Sequence, residues 1–207
     1  MVQTGTTDVP DISVEWYQEI TQVADSAPTP VQWFAVHFTE AAILLLGALL
    51  LFAAAPRLLR GKPWDRAVAL VAPVTVVLAY ACSEALKTVF DQARPCRGAM
   101  TVLAGHCPPV GDWSFPSNHA TIAGALAAAA LLLSRRLGLV AVPLALLAAL
   151  SRVFVGVHYP HDVAAGLFLG ALVTLAGTPL IARPVADLLA RRTTTHPDRL
   201  PATADHP

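Results

Sequence analysis

In ATIAGALAAAALLLSRRLGLVAVPLALLAAL, residues 120–150, two apolar runs are separated only by Ser134, Arg135 and Arg136. A membrane-spanning α-helix needs about 20 apolar residues at a rise of about 1.5 Å each. As a single helix the combined run would be far thicker than a bilayer. The arginines therefore mark a turn, and the two runs form a helical hairpin whose ends extend into the flanking polar residues. Outward from this hairpin, further apolar stretches cover about 34–55, 67–86 and 163–181. With the hairpin they make about five spans. The expected fold class is all-α, a polytopic transmembrane helix bundle.

Composition agrees. Of 207 residues, 55% are hydrophobic and only 14% charged, and the mean hydropathy is +0.57. The chain is too apolar for an ordinary soluble domain and too short for several domains. A formal net charge of zero argues against a nucleic-acid partner. The expected organisation is an extramembrane or interfacial segment (1–28), a membrane-embedded domain (29–192) and a polar, proline-bearing disordered tail (193–207). In the first segment, apolar positions 12, 16, 20 and 23 fit an amphipathic helix on the interface with Trp16 and Tyr17 as anchors. A soluble cap packed on the domain fits equally well. No cleavable signal peptide is expected, because a basic n-region and an early apolar core are both missing. No pattern speaks to oligomeric state.

Lysine and arginine in short loops set the orientation. Arg57, Arg60, Lys62 and Arg66 lie between the first two spans, Arg135 and Arg136 within the hairpin, and Arg183, Arg191 and Arg192 after the last span. With five spans these clusters share one side, which should be the cytoplasm and hold the C-terminus. The segments 87–118 and 151–162 then face outside across the plasma membrane. There Lys87, Arg94, Arg97 and Arg152 break the charge rule. Ionisable groups at such depth mark function by default.

Three polar clusters occupy helix ends on that outer face. In KTVFDQARP (87–95), Lys87 and Arg94 would project from one helix face about 10 Å apart, with Pro95 ending the helix at Arg94. Asp91 would be their counter-ion. A solvated, snorkelling helix end is the plain alternative. In FPSNHAT (115–121), Ser117 suits a helix N-cap, and the free N–H groups of a helix start attract anions. His119 lies in that first turn. In SRVFVGVHYPHD (151–162), Pro160 suits the first turn of the last span. Asp162, four residues after His158, would fix the imidazole tautomer and leave the other nitrogen free as nucleophile or base. Arg152 offers a fork that matches phosphate oxygens. A structural Arg–Asp pair closing the bundle is the alternative.

Cations, an anion-binding helix start, two histidines and an orienting carboxylate on one face suit phosphoryl transfer, which depends on positioning and charge stabilisation. The order K-x6-RP, PSNH, SR-x5-H-x3-D resembles the three-part signature of the type 2 phosphatidic acid phosphatase and haloperoxidase superfamily, and covers Lys87 to Asp162. The resemblance implies that Lys87, Arg94 and Arg152 bind phosphate with Ser117 and Asn118. It implies that His158 attacks phosphorus, Asp162 orients it, and His119 protonates the leaving oxygen, with no metal or other cofactor. Asn118 stands where the family has glycine, and asparagine tolerates a positive φ there. The PSNH form is similar to that of bacitracin-resistance type undecaprenyl diphosphate phosphatases.

Other polar residues receive lesser roles. Glu84 pairs with Lys87 or lines the pocket. His161 belongs to the interface, and His37 and Glu40 mark the entry to the first span. Cys96 and Cys107 share the outer loop, where an oxidising compartment favours a disulfide over a reduced pair. Cys82 should stay free.

A transporter would show broken helices and repeated halves. A zinc site on Cys96, His106, Cys107 and His119 has unsuitable spacing. The expected substrate is a membrane lipid phosphate, with three cations favouring a polyprenyl diphosphate such as undecaprenyl diphosphate. Phosphatidate and phosphatidylglycerol phosphate are the alternatives, and transfer to another lipid instead of water would use the same site.

Overall fold

The computed structural model describes residues 9–98, 102–103 and 107–194. Its helices are α1 (Asp11–Ser26), α2 (Thr29–Arg60), α3 (Pro63–Phe90), α4 (Asn118–Leu133), α5 (Arg135–Phe154) and α6 (Pro160–Thr194), with one 3-10 turn at Pro95–Arg97. Helices α2, α3, α5 and α6 are long and apolar enough to cross a membrane, and α4 is a shorter apolar helix. The chain is a multi-pass α-helical membrane protein. The hairpin turns where expected: Ser134 ends α4, and its hydroxyl accepts the Leu137 N–H at the start of α5.

Helix α4 is central, packing on α2, α3, α5 and α6. Its alanines, Ala120 to Ala130, are almost all buried. Small residues let backbones approach without a hydrophobic drive between helices in lipid. On α6, a Cβ at Gly170 would lie 2.0 Å from the Thr121 carbonyl oxygen, and on α4 a Cβ at Gly124 would lie 2.4 Å from that of Leu167. The two helices thus touch through backbone. This contact sets Ser117, at the head of α4, beside Asp162 in the first turn of α6, and the Ser117 N–H donates to the Asp162 carbonyl at 3.1 Å. Large side chains such as Leu44, Phe52, Val77, Leu147 and Phe168 point outward from the bundle, as a lipid-facing surface requires.

Helix α1 packs on the bundle by one face and leaves the apolar positions Ile12, Trp16 and Val23 exposed. Its buried residues are Ser13, Tyr17, Thr21 and Ala24, a face at i, i+4, i+8 and i+11 that packs on α5 and α6. Trp16 is exposed, but Tyr17 is no interfacial anchor. Burial and the neighbouring Tyr159 raise its phenol to about 12, and it donates to the Gly156 carbonyl at 3.0 Å. The helix predicted to stop near 181 continues to Thr194. The remainder of the expected tail, 195–207, lies outside the described residues, as does His106 of the zinc alternative.

Candidate active site

The three motif clusters meet at one end of the bundle. Helix α3 ends at Phe90, earlier than expected, because Asp91 takes a left-handed conformation (φ 44°) and caps it. Residues 92–94 then run on outside any helix and swing Arg94 back toward Lys87. The two cations do not project separately along one helix face. Lys87 Nζ and Arg94 Nη2 both reach Asp112 Oδ1, at 2.8 and 2.9 Å. Their counter-ion is Asp112, not Asp91. Burial would raise the Asp112 pKa, but hydrogen bonds from Lys87 and Arg94, with their charges, outweigh it and hold the carboxyl below its ordinary value. Glu84 Oε1 lies 3.4 Å from Lys87 Nζ on the same helix.

His158 is 2% exposed. Arg94 Nη1 donates to its Nε2 at 2.9 Å. Arginine has no acceptor, so Nε2 is the unprotonated nitrogen and Nδ1 carries the hydrogen toward Asp162 Oδ2, 3.4 Å away. Burial foremost, aided by Arg94 and Arg152 against the pull of Asp162, lowers the His158 pKa to about 4. The imidazole is neutral at physiological pH, so this contact is not an ion pair; the Ser114 hydroxyl, which donates to Asp162, also lies 3.4 Å from Nδ1.

Asp162 is fully buried and fully engaged. It accepts from Gln92 Nε2 (2.9 Å), from the Ser114 hydroxyl and from the Tyr159 N–H (2.8 Å). His161 is not a surface group. Its Nε2 meets Gln92 Oε1 at 3.0 Å, its Nδ1 meets the Ser13 hydroxyl at 2.7 Å, and its ring stacks between Phe115 and Tyr159. Through His161 and Tyr17, α1 braces the 155–162 loop from behind.

Ser117 is N-cap by position, yet its hydroxyl makes no cap bond and is buried without a protein partner. Arg152, in the last turn of α5, donates from Nη1 to Thr39 Oγ1 at 3.1 Å, while its Nε is buried and unpartnered. Both groups need an acceptor or donor from outside the chain. Asn118 differs from the expectation twice. It is the first residue of α4 and needs no positive φ; among described residues Asp91 alone, glycines apart, has one. Its amide oxygen accepts from Ser83 (2.7 Å) and its nitrogen donates to Glu84, so the side chain ties α3 to α4 rather than facing an anion.

Sequence reasoning missed Asp112, Ser114, Gln92 and Glu40. The last is no mere entry residue: Glu40 Oε1 lies 2.8 Å from His119 Nε2 and 3.9 Å from Arg152 Nη1. His37, by contrast, stays within α2, against Trp33. Cys96 and Cys107 are joined by a disulfide, with Arg97 donating to the Pro108 and Pro109 carbonyls beneath it; Cys82 is free. Among the described residues, no group of three or more His, Cys, Asp or Glu is arranged to hold a metal ion.

The family model described as the PAP2 superfamily matches residues 68–185. Decaprenylphosphoryl-5-phosphoribose phosphatase of Mycobacterium tuberculosis is 41% identical over 140 residues, covering 66% of this chain and 71% of that protein. Undecaprenyl-diphosphatase BcrC of Bacillus subtilis is 32% identical over 164 residues, covering 75% and 79%. The crystal structure of Aquifex aeolicus LpxE has the same fold, with a TM-score of 0.58 at 24% identity over 84% of this chain and 99% of that one. The chain belongs to the PAP2 superfamily and is a membrane phosphatase of that family.

Proposed function

We propose that this phosphatase removes the terminal phosphate from a polyprenyl-linked lipid at the outer face of the cell membrane, through a phosphohistidine on His158. The observation that carries the reading is the pairing at His158. Asp162 takes Nδ1, and the lone pair of Nε2 lies against Arg94, a cation able to hold a phosphate oxygen. Lys87, Arg94, Arg152, the Ser117 hydroxyl and the first N–H groups of α4 would cradle the phosphoryl group. Arg94 Nη1, which holds Nε2 here, would turn to a phosphate oxygen and free that lone pair. Nε2 would then attack phosphorus as the bond to the leaving oxygen breaks, with His119 giving that oxygen a proton. Water would then cleave the N–P bond, its proton passing to His119. No step is routed through a metal ion.

Two lipid classes compete. Three cations and the likeness to an undecaprenyl-diphosphatase favour a diphosphate such as undecaprenyl diphosphate. However, Asp112, Glu84 and Glu40 lie within 4.0 Å of those cations, which removes the charge surplus that argument needs. The relative with 41% identity is named for a phosphosugar lipid, and this favours a phosphomonoester on a polyprenyl carrier. Phosphatidate, phosphatidylglycerol phosphate and transfer to a second lipid use the same chemistry.

The decisive experiment is His158→Ala. It should abolish turnover, while the wild type, quenched during turnover of radiolabelled lipid, should carry acid-labile, base-stable label. Full activity in the variant refutes the mechanism. Turnover of undecaprenyl diphosphate, phosphatidate and phosphatidylglycerol phosphate side by side then ranks the substrates.

A further inference from the structure

We infer that Glu40 forms the leaving-group side of the site and selects lipid phosphates whose leaving group is uncharged. The inference rests on the phosphatase reading above and deepens it. Glu40 lies on α2, outside the residues 68–185 that the family model matches. It is the one carboxylate of α2, is 68% exposed, and accepts from the Nε2 of His119.

Two features fix its place relative to substrate. A cavity of about 260 Å³ opens beside Arg152, lined by Val36, Thr39, Glu40, Pro108, Val155 and Val157. Next to it an apolar groove of about 460 Å³ runs between α2 and α5, lined by residues including Phe34, Ala35, Phe38, Leu147, Leu150 and Phe154. The groove and cavity are lined by neighbouring residues of the same two helices. Ala35 and Phe38 line one while Val36 and Thr39 line the other, and Ser151 of the groove precedes Arg152 of the cavity. A lipid lying in the groove would deliver its head group past Glu40 to Arg152 and the phosphate cradle.

The chemistry at that point is sign-dependent. When Nε2 of His158 bonds to phosphorus, the electron pair of the breaking P–O bond goes to the leaving oxygen, on the side of His119 and Glu40. An alcohol leaving group takes the proton of His119 and departs neutral. A diphosphate releases a lipid monophosphate, which carries negative charge beside the Glu40 carboxylate. Like charges repel there, with the strength reduced by the solvent that reaches the exposed Glu40. Glu40 therefore disfavours the diphosphate and leaves the monoester unaffected in charge.

The test uses the full-length protein in detergent with two lipids of one tail, farnesyl monophosphate and farnesyl diphosphate, scored by released phosphate. Wild type should have the higher kcat/KM on the monophosphate. Glu40→Gln should raise the diphosphate-to-monophosphate ratio of kcat/KM by up to about fivefold, and Glu40→Lys further. A purely structural role would lower both substrates together, and an unchanged ratio in both variants overturns the inference. Release of phosphate from neither lipid by wild type, or wild-type turnover in His158→Ala, instead overturns the reading beneath it.

Discussion

Gly170→Ala should inactivate the enzyme from well outside the site. A Cβ there would lie 2.0 Å from the Thr121 carbonyl oxygen, 2.8 Å from the Ala125 nitrogen and 2.9 Å from the Thr121 carbonyl carbon. All three atoms are α4 backbone, so no side chain can swing aside. Restoring a separation near 3 Å forces α6 away from α4 by about 1 Å. The same movement stretches the 3.1 Å bond from the Ser117 N–H to the Asp162 carbonyl beyond hydrogen-bond range. It also carries Asp162 and His158 away from Ser117 and His119. Overpacking of this kind costs about 1–3 kcal/mol, offset in part by the better helix propensity of alanine. A misplacement of about 1 Å between reacting groups costs about 100-fold in rate. The expected result is a folded protein with a modestly lower melting temperature and kcat down about 100-fold. Both are measured in detergent, with lipid phosphate turnover beside thermal unfolding. Gly47→Ala is the control, since a Cβ there meets nothing within 4 Å; it should keep wild-type kcat. Wild-type kcat in Gly170→Ala would refute the claim that backbone contact between α4 and α6 sets the site.

In sealed cells freed of native cysteines, a cysteine at Lys62 should label only from the cytoplasm and one at the exposed Val110 only from outside; outside labelling of Lys62 refutes the orientation. Alkylation without reductant should modify Cys82 alone, and three modified thiols would refute the bridge, whose reduction should destabilise the loop it closes by up to about 3 kcal/mol. Acid should act through His158. Its folded pKa of about 4 lies below the unfolded value of about 6.5, so the folded state binds fewer protons between those values. Stability is then present above pH 6.5 and declines as pH falls toward 4, by about 3 kcal/mol. His158→Gln should flatten the melting-temperature profile over that window, and parallel profiles would refute it.

The spans and the motif residues were legible in the sequence because each rests on local information. Apolar run length locates α2 to α5 and the start of α6 to within about five residues, though not the end of α6, and the arginine pair locates the hairpin turn. Spacing within one helix end brings His158 and Asp162 together. What the sequence did not yield depends on where loops return. Asp112 lies 25 residues from Lys87 and 18 from Arg94, on a segment with no period, so no pattern announces that it joins them. Asp91 lay nearer in sequence but caps α3 in a left-handed turn and faces solvent. Asn118 misled for a different reason: comparison with glycine invites an argument about φ, whereas the structure spends the asparagine amide on Ser83 and Glu84. Tyr17 was misassigned because an aromatic at a helix surface reads equally as a lipid anchor or a packing residue. Only the register of α1 against Gly156 decides it. Glu40 is the instructive case. A lone carboxylate in an apolar helix is costly and by default functional, so the signal was present. It lacked an address, because its partners His119 and Arg152 lie 79 and more than 100 residues away and meet it only once α2 packs on α4 and α5. Charge in an apolar helix can thus be recognised locally as functional, while its role is assigned by the packing that chooses its partner.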